Sequence, residues 1–532
     1  MSDSRTPPSS NQRKRAGRTK SRNGCITCKI RHVKCGEEKP ACSQCTRTGR
    51  KCDGYTDVSQ RQLRQAITTS VARYSWSPSP ERKLVLVPGT RTERHYVQFF
   101  CTQTAPALSG FFPSDFWTKF LPQLSHCNPA VRHAVIAVGS LHQRQLQGRL
   151  LSPDADSKEK DEFTLQQYNK AIQKFLQQMG DPTAMGIDSM LIQCVLFICL
   201  EMLSGNTKQA IDHAEGGLRI LSRQLQDDRV ARTTFGKDLF QFFYRQNLQL
   251  SYFGRQLMPF TDVANDSAIL ALDKLRFDNI NQARDCLTNI TTRALLFIRS
   301  VQSKLWIIPQ EPLDPQQIQQ QADLLEEINL WFKAFEAMRK RSAKNVGILD
   351  PRAPLSMLCQ YHAAVTWLST CTSLDEMNFD HFYPHFEVIT SAAERLAELC
   401  AEEAPNSDME HFFLDAEVMP VLYWAAMRCR HPILRRRVLH VLSSYRAREG
   451  MWDKRLHVAV AKKFVELEET ALAHLPVEQR FPEAQDRVYD AMISRDIESP
   501  VHSCPVLFRT KPHGVDGPWQ DRWEQVSWQE TP

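Results

Sequence analysis

No segment that would carry the chain into or across a membrane is expected. Its opening stretch, MSDSRTPPSSNQRKR, is polar and has no apolar run of the kind a secretory signal needs. The longest apolar run, Met190 to Leu203, is broken by Gln193 and Glu201 and is too short to span a bilayer. A buried core helix is expected there, and no membrane partner. Also missing are the Gly-rich phosphate loops G-x-x-x-x-G-K-[ST] and G-x-G-x-x-G, the metalloprotease H-E-x-x-H and the nucleophile elbow G-x-S-x-G. Catalysis has no positive support, and an enzyme is not expected. His381 and His385 stand four apart, as ligands on a helix can, but Pro384 lies between them and a surface turn is the expectation. His126 and His133 flank a helix cap at Asn128 and read as structural. Before about residue 500 no sustained alternation marks strands.

What the chain does have is sulfur in a pattern. Cys25, Cys28, Cys35, Cys42, Cys45 and Cys52 follow C-x2-C-x6-C-x6-C-x2-C-x6-C, in which the half C-x2-C-x6-C occurs twice. Structural zinc takes four thiolates in a tetrahedral shell. Six sulfurs complete two such shells only if two are shared, and the repeated half points to Cys25 and Cys42 as the bridges. One zinc ion would take Cys25, Cys28, Cys35 and Cys42, and the other Cys42, Cys45, Cys52 and Cys25. The alternatives are a single four-cysteine zinc with two spare thiols, or a disulfide module. Disulfides need an oxidising compartment, which the polar N-terminus argues against. The other ten of the 16 cysteines share no spacing; several, such as Cys194 and Cys199, sit in apolar helical stretches and read as reduced core residues.

The formal net charge of +7 is unevenly placed: residues 1–55 carry 14 Lys or Arg against 4 Asp or Glu, leaving the remainder slightly acidic. Such asymmetry points to a polyanion partner for the N-terminal segment. Between the second and third cysteines lie Lys29, Ile30, Arg31, His32, Val33 and Lys34, where a short helix is expected. Ile30 and Val33 would share the face toward the metal, with the cations pointing outward. The second half, with Arg47, Arg50 and Lys51, is basic too. Upstream, Arg13, Lys14, Arg15, Arg18, Lys20 and Arg22 could serve as a nuclear import signal, as an arm along phosphates, or as both.

The stretch GCITCKIRHVKCGEEKPACSQCTRTGRKCDGY resembles the fungal binuclear zinc-cluster (six-cysteine) transcription regulators, with Pro40 in the loop between the halves. The phrases TAPALSGFFPSDFW and NPAVRHAVIAVGSLH resemble the helical regulatory region of the same family. The resemblance implies two zinc ions, a nuclear protein, and double-stranded DNA and the transcription machinery as partners. It implies sequence-specific regulation of RNA polymerase II genes at G/C-containing sites. Arg31 and His32 would reach base edges. Lys29 and Lys34 would hold phosphates, and the second half would support the fold and touch the backbone. His32 departs from the family's usual lysine or arginine, so the family's usual triplet is not carried over. Relatives govern sugar and amino-acid use, drug resistance or secondary-metabolite clusters, and these residues do not choose among them. The competing reading is a zinc-dependent scaffold or metal buffer that binds nucleic acid without sequence preference.

The expected fold class is mainly α: a basic disordered arm (1–23), the zinc-cluster module (24–55), a linker (56–92), a helical regulatory domain (93–498) and a tail (499–532). In the linker Val58, Leu63, Ile67 and Val71 could line a short helix, but barely two heptads fit, leaving monomer and homodimer both open. Asn128-Pro129 and Asp314-Pro315 read as caps followed by proline at the first helical position. Helical spacing predicts a helix ending near Gly180, a pair over 190–203 and 207–221, and further helices near 355–370, 388–403, 416–428, 432–446 and 456–475. Residues 148–162 and 222–234 read as loops. A small-molecule effector of the helical region would be in keeping with the resemblance, but no pocket is readable. In the tail, Trp519, Trp523 and Trp528 are read as packing back on the helical domain, with an acidic-aromatic activation segment as the alternative.

Overall fold

A computed structural model describes residues 24–31, 33–54, 88–147, 155–180, 186–226, 236–258, 275–307, 313–343, 349–403, 411–445, 447–494 and 503–528. The basic arm, His32 and the linker residues Val58 to Val71 lie outside them. The chain divides into two compact units, Met1–Leu84 and Val85–Pro532.

The first unit holds two five-residue helices, α1 (Ile26–Ile30) and α2 (Ser43–Arg47). The second is mainly helical. Its first half comprises α3 (Arg91–Phe99), α4 (Ala105–Ser109), α5 (Leu121–Cys127), α6 (Pro129–Leu146), α7 (Ala155–Met179), α8 (Ile187–Ser204), α9 (Thr207–Gln226) and α10 (Gly236–Tyr252). The second half comprises α11 (Ile280–Ile307), α12 (Pro315–Ser342), α13 (Arg352–Thr370), α14 (Tyr383–Glu403), α15 (Met419–Arg428), α16 (Pro432–Ser444) and α17 (Lys454–Glu469). Two π-helical turns, Phe100–Thr104 and Phe116–Phe120, interrupt the segment before α6.

Local chemistry sets many of these ends. Asn128 Oδ1 accepts from the backbone N–H of Ala130 (3.0 Å) and Val131 (3.2 Å), and Pro129 opens α6. Asp314 caps α12 and forms a capping box with Gln317. Mid-helix Gly139 lets α6 approach α3: a Cβ there would stand 2.8 Å from the Tyr96 carbonyl oxygen. Helix α8 is long and apolar enough to cross a membrane, but most of it is buried against α6 and α9. Its one carboxylate in that apolar run, Glu201, accepts from the Tyr168 hydroxyl (2.8 Å) and Asn206 Nδ2 (2.7 Å). Gly205, with φ of 82°, turns the chain into α9.

Three expectations need correction. Residues 155–162, read as loop, are the first turns of α7. Tyr383 and Pro384 open α14, so Pro384 occupies a first turn, where proline is tolerated, and the region is not a simple surface turn. His385 is drawn away from His381 to His362, with their Nδ1 atoms 3.1 Å apart. Strands also occur earlier than expected. β1 (His411–Phe413) pairs in parallel with β2 (Ala447–Glu449), and β3 (Val488–Ile493) opens an antiparallel sheet of order β3-β4-β5 with β4 (Ser503–Thr510) and β5 (Gln520–Ser527). The tryptophans near the end of the chain divide. Trp519 packs on Tyr489 and Trp306, Trp528 lies against the main core, and Trp523 is exposed.

Charge lies inside this domain. Glu468, wholly buried, accepts from Arg430 Nη2 (2.9 Å), Arg435 Nη2 (2.5 Å) and the backbone N–H of Val488 (2.9 Å). Burial opposes its charge, but the two guanidinium groups outweigh burial and hold the carboxyl below its usual range. Glu449, also buried, accepts at Oε2 from the N–H groups of Glu417, Val418 and Met419 at 2.8–2.9 Å, satisfying the open end of α15. For Glu449 burial wins over those bonds and pushes the carboxyl up to about 7.

Glu468→Ala leaves buried Arg435 without its carboxylate and Arg430 with Glu376 alone, and is expected to cost about 3–5 kcal/mol in urea unfolding; a loss under about 1 kcal/mol would mean that water reaches the arginines. Because the folded pKa of Glu449 lies above the ordinary 4.5, the stability tied to its protonation is fully present below pH 4.5 and is lost as pH rises through about 7. Thermal melts should therefore show Glu449→Gln gaining on the native chain between pH 5 and pH 8, and a gap that does not vary with pH would show the carboxylate ionised throughout.

Candidate metal centre and nucleic-acid interface

The module repeats in space as it does in sequence. Cys25 precedes α1 and its sulfur accepts from the Cys28 N–H (3.4 Å); Cys42 precedes α2 and its sulfur accepts from the Cys45 N–H (3.4 Å). The first cysteine of each half is thus a helix N-cap, and the second lies buried within the helix. This capping shifts α1 earlier than the expected span over residues 29–34. It ends at Ile30, with Arg31 as C-cap. Ile30 consequently points to solvent, at 71% exposure, while Val33 alone of the pair packs on the sulfurs.

Cys25, Cys28, Cys35, Cys42 and Cys45 are buried and Cys52 is half-buried. The sulfur of Cys25 stands 3.6 Å from that of Cys42 and 3.8 Å from that of Cys45, and Cys28 repeats these distances to the same two. A disulfide would need about 2.05 Å, and all six are free thiols. Tetrahedral zinc with bonds of about 2.3 Å separates its sulfurs by about 3.8 Å. Two groups of four fall within 4.8 Å: Cys25, Cys28, Cys35, Cys42 and Cys25, Cys42, Cys45, Cys52. Cys25 and Cys42 belong to both. The donor set therefore fits zinc. Burial pushes the Cys28 thiol up to about 12 and raises Cys25 and Cys45 as well, so thiolates here need a cation beside them.

Contacts that the cysteine pattern did not disclose close the module. Thr27 Oγ1 donates to Asp53 Oδ2 (2.8 Å) and accepts from the Asp53 N–H (3.0 Å), while the Ile26 N–H donates to the Gly54 carbonyl (2.9 Å). Glu38 accepts from the Ser43 N–H (2.8 Å) at the start of α2. A Thr between the paired cysteines and an Asp after the last one were the available signals.

Of the expected contact residues, Lys29, Lys34, Arg47, Arg50 and Lys51 are exposed. Arg31 is half-buried and its Nη1 donates to Thr48 Oγ1 (3.2 Å), which ties the end of α1 to the end of α2. His32 and Arg13 to Arg22 lie outside the described residues.

Residues 23–62 match the fungal Zn(2)-Cys(6) binuclear cluster domain, and residues 94–328 match the fungal specific transcription factor domain. The chain is 37% identical over 254 residues to the aspercryptin biosynthesis cluster-specific transcription regulator of Emericella nidulans, covering 45% of this chain and 40% of that protein. A transcription regulator of Purpureocillium lilacinum is 28% identical over 37% of this chain and 48% of its own length. A Zn(2)-C6 fungal-type transcription factor of Aspergillus fumigatus is 30% identical over 25% and 36% respectively. The chain thus spans less than half the length of each. No solved structure matches it.

Elemental analysis of the purified full-length protein should find two equivalents of zinc per chain. Cys28→Ser removes a ligand and should lose metal and unfold the module, since metal binding supplies most of the folding energy of such domains. One equivalent in the native chain, or undiminished zinc in the variant, would refute the shared-sulfur arrangement.

Proposed function

We propose that this chain, in which both domains of a fungal binuclear zinc-cluster transcription regulator are present, is a sequence-specific DNA-binding regulator of RNA polymerase II genes acting in the nucleus. One zinc ion is held by Cys25, Cys28, Cys35 and Cys42, and the second by Cys42, Cys45, Cys52 and Cys25. The metals stiffen the module, and the end of α1 enters the major groove. Arg31 and His32, just past that end, read base edges, where arginine matches the paired acceptors of guanine. Lys29 and Lys34 hold phosphates, as do Arg47, Arg50 and Lys51 from the second half. The arm Arg13, Lys14, Arg15, Arg18, Lys20 and Arg22 adds backbone contacts and nuclear import.

The observation that carries this reading is the twofold sulfur cluster with exposed cations on both of its small helices. A metal buffer would need the sulfurs without that display. The printed name of the Emericella nidulans relative ties that protein to one biosynthesis cluster. By that likeness the proposed targets are the genes of a biosynthetic cluster, with the transcription machinery as protein partner. The Arg31–Thr48 bond does not oppose the reading, because a single exposed hydrogen bond is exchanged for one to a base at little cost.

Selection of bound duplexes from a randomised pool should enrich a short G/C-containing motif, with affinity that falls steeply with salt. Arg31→Ala or His32→Ala should change the preferred base by about 1–3 kcal/mol, whereas Lys29→Ala should weaken all duplexes equally. Equal losses from all three would contradict this division of roles. An unenriched pool would favour binding without sequence preference.

A further inference from the structure

The helical domain encloses a cavity of about 460 Å³ between the first turns of α10 and α11 and residues 108–120, a size that takes a small organic molecule. One wall is aromatic, with Phe116, Trp117, Phe120 and Phe242. The other is ionic, with Arg245, Arg284, Asp285 and Asp415, and with Lys237 and Asp238 exposed at its margin.

Within the ionic wall the guanidinium groups are already engaged. Arg284 Nη2 donates to Asp415 (2.5 Å) and Glu417 (2.8 Å), and its guanidinium carbon lies 3.9 Å from the centroid of the Phe112 ring. Arg245 Nε donates to Asp415 (2.9 Å). Asp415 also faces the amides of Gln246 (3.3 Å) and Gln249 (3.4 Å). Asp285 is left with the edge of Arg245 at 3.7 Å, beyond hydrogen-bond distance. Burial raises its carboxyl above the usual range in spite of the nearby arginines. Gln241 lines the cavity, and its Oε1 is buried with no partner among the described residues. On α10, Asp238, Gln241 and Arg245 recur at spacings of three and four and share a face.

Four carboxylates, Asp115, Asp238, Asp285 and Asp415, line the cavity against three cations, Lys237, Arg245 and Arg284, and Glu417 takes a further share of Arg284. An anion would gain from Lys237 and from the first turns of two helices, but it would face this excess of carboxylates.

We propose that this cavity binds a small organic cation, a protonated amine carried on an aromatic or apolar body. The ammonium group meets Asp285, Asp238 and Gln241 through charge-assisted hydrogen bonds. The body lies against Phe116, Trp117 and Phe242, whose ring faces favour a nearby cation.

Calorimetric titration of the full-length, zinc-loaded protein with tryptamine, tryptophol and indole-3-acetate tests this, since the three share one body and differ in the charge of the head group. Tryptamine should bind saturably and at least about tenfold more tightly than the other two. Asp285→Asn should weaken it by about tenfold or more, and so should Asp238→Asn, which sits in solvent and decides the matter should the first variant fail to fold. Absent tryptamine binding, equal affinity for the three, preference for indole-3-acetate, or unchanged tryptamine affinity in Asp238→Asn would overturn the proposal. The titration involves no DNA, so its failure would leave the reading of the zinc module standing.

Discussion

Sulfur takes the place of hydrocarbon at the heart of residues 24–54. Five buried cysteines form the interior, and Val33 and half-buried Cys52 are what packs against them. A segment this short cannot bury enough apolar surface to hold itself together, and a metal is the usual remedy. The same constraint sets the geometry outside. Because the first cysteine of each half must both reach the cluster and cap a helix, α1 starts at Ile26 and runs out at Ile30. The cations that follow are carried at the helix end and not along its flank. The display of exposed cations at the helix end is thus a by-product of where the sulfurs have to be.

The sequence disclosed what is local. The doubled cysteine spacing is visible in the chain, and so are Asn128-Pro129 and Asp314-Pro315, where cap and first-turn chemistry lie side by side. The register of α1 was not visible, because the outward turn of Ile30 depends on a cap made by sulfur, which ordinary capping preferences do not include. Residues 155–162 misled because their dense charge suits a solvated first turn as well as a loop. Strand β3 was hidden for a different reason. Its start is held by Glu468, Arg430 and Arg428, and the preceding Arg487 bonds Asp380 and the Glu376 carbonyl, more than a hundred residues away. No periodicity in 488–493 announces partners at such a distance.

Ionic groups inside the helical domain are organised in linked sets. Asp415 and Glu417 lie between β1 and α15; they receive Arg245 and Arg284 from α10 and α11, and Ser356 Oγ donates to Glu417 (2.6 Å) from α13. Glu449 holds the N–H groups of Glu417, Val418 and Met419 in the same segment. Such networks are weak sources of net stability, since desolvation consumes much of the Coulomb gain, but each member punishes the loss of its partner. They tie helices from distant parts of the chain to one short connecting segment, and the cavity described above opens on that segment.

The anchoring of β3 has a consequence for biogenesis. Ribosomes deliver the chain from its N-terminus, so α15, α16 and α17 emerge before Val488 does. Until then Glu468 lacks the backbone N–H that completes its shell, and Arg428 and Arg430 lack the carbonyls of Tyr489 and Val488. The closing quarter of the domain therefore completes these shells only once Val488, 20 residues beyond Glu468, has been delivered.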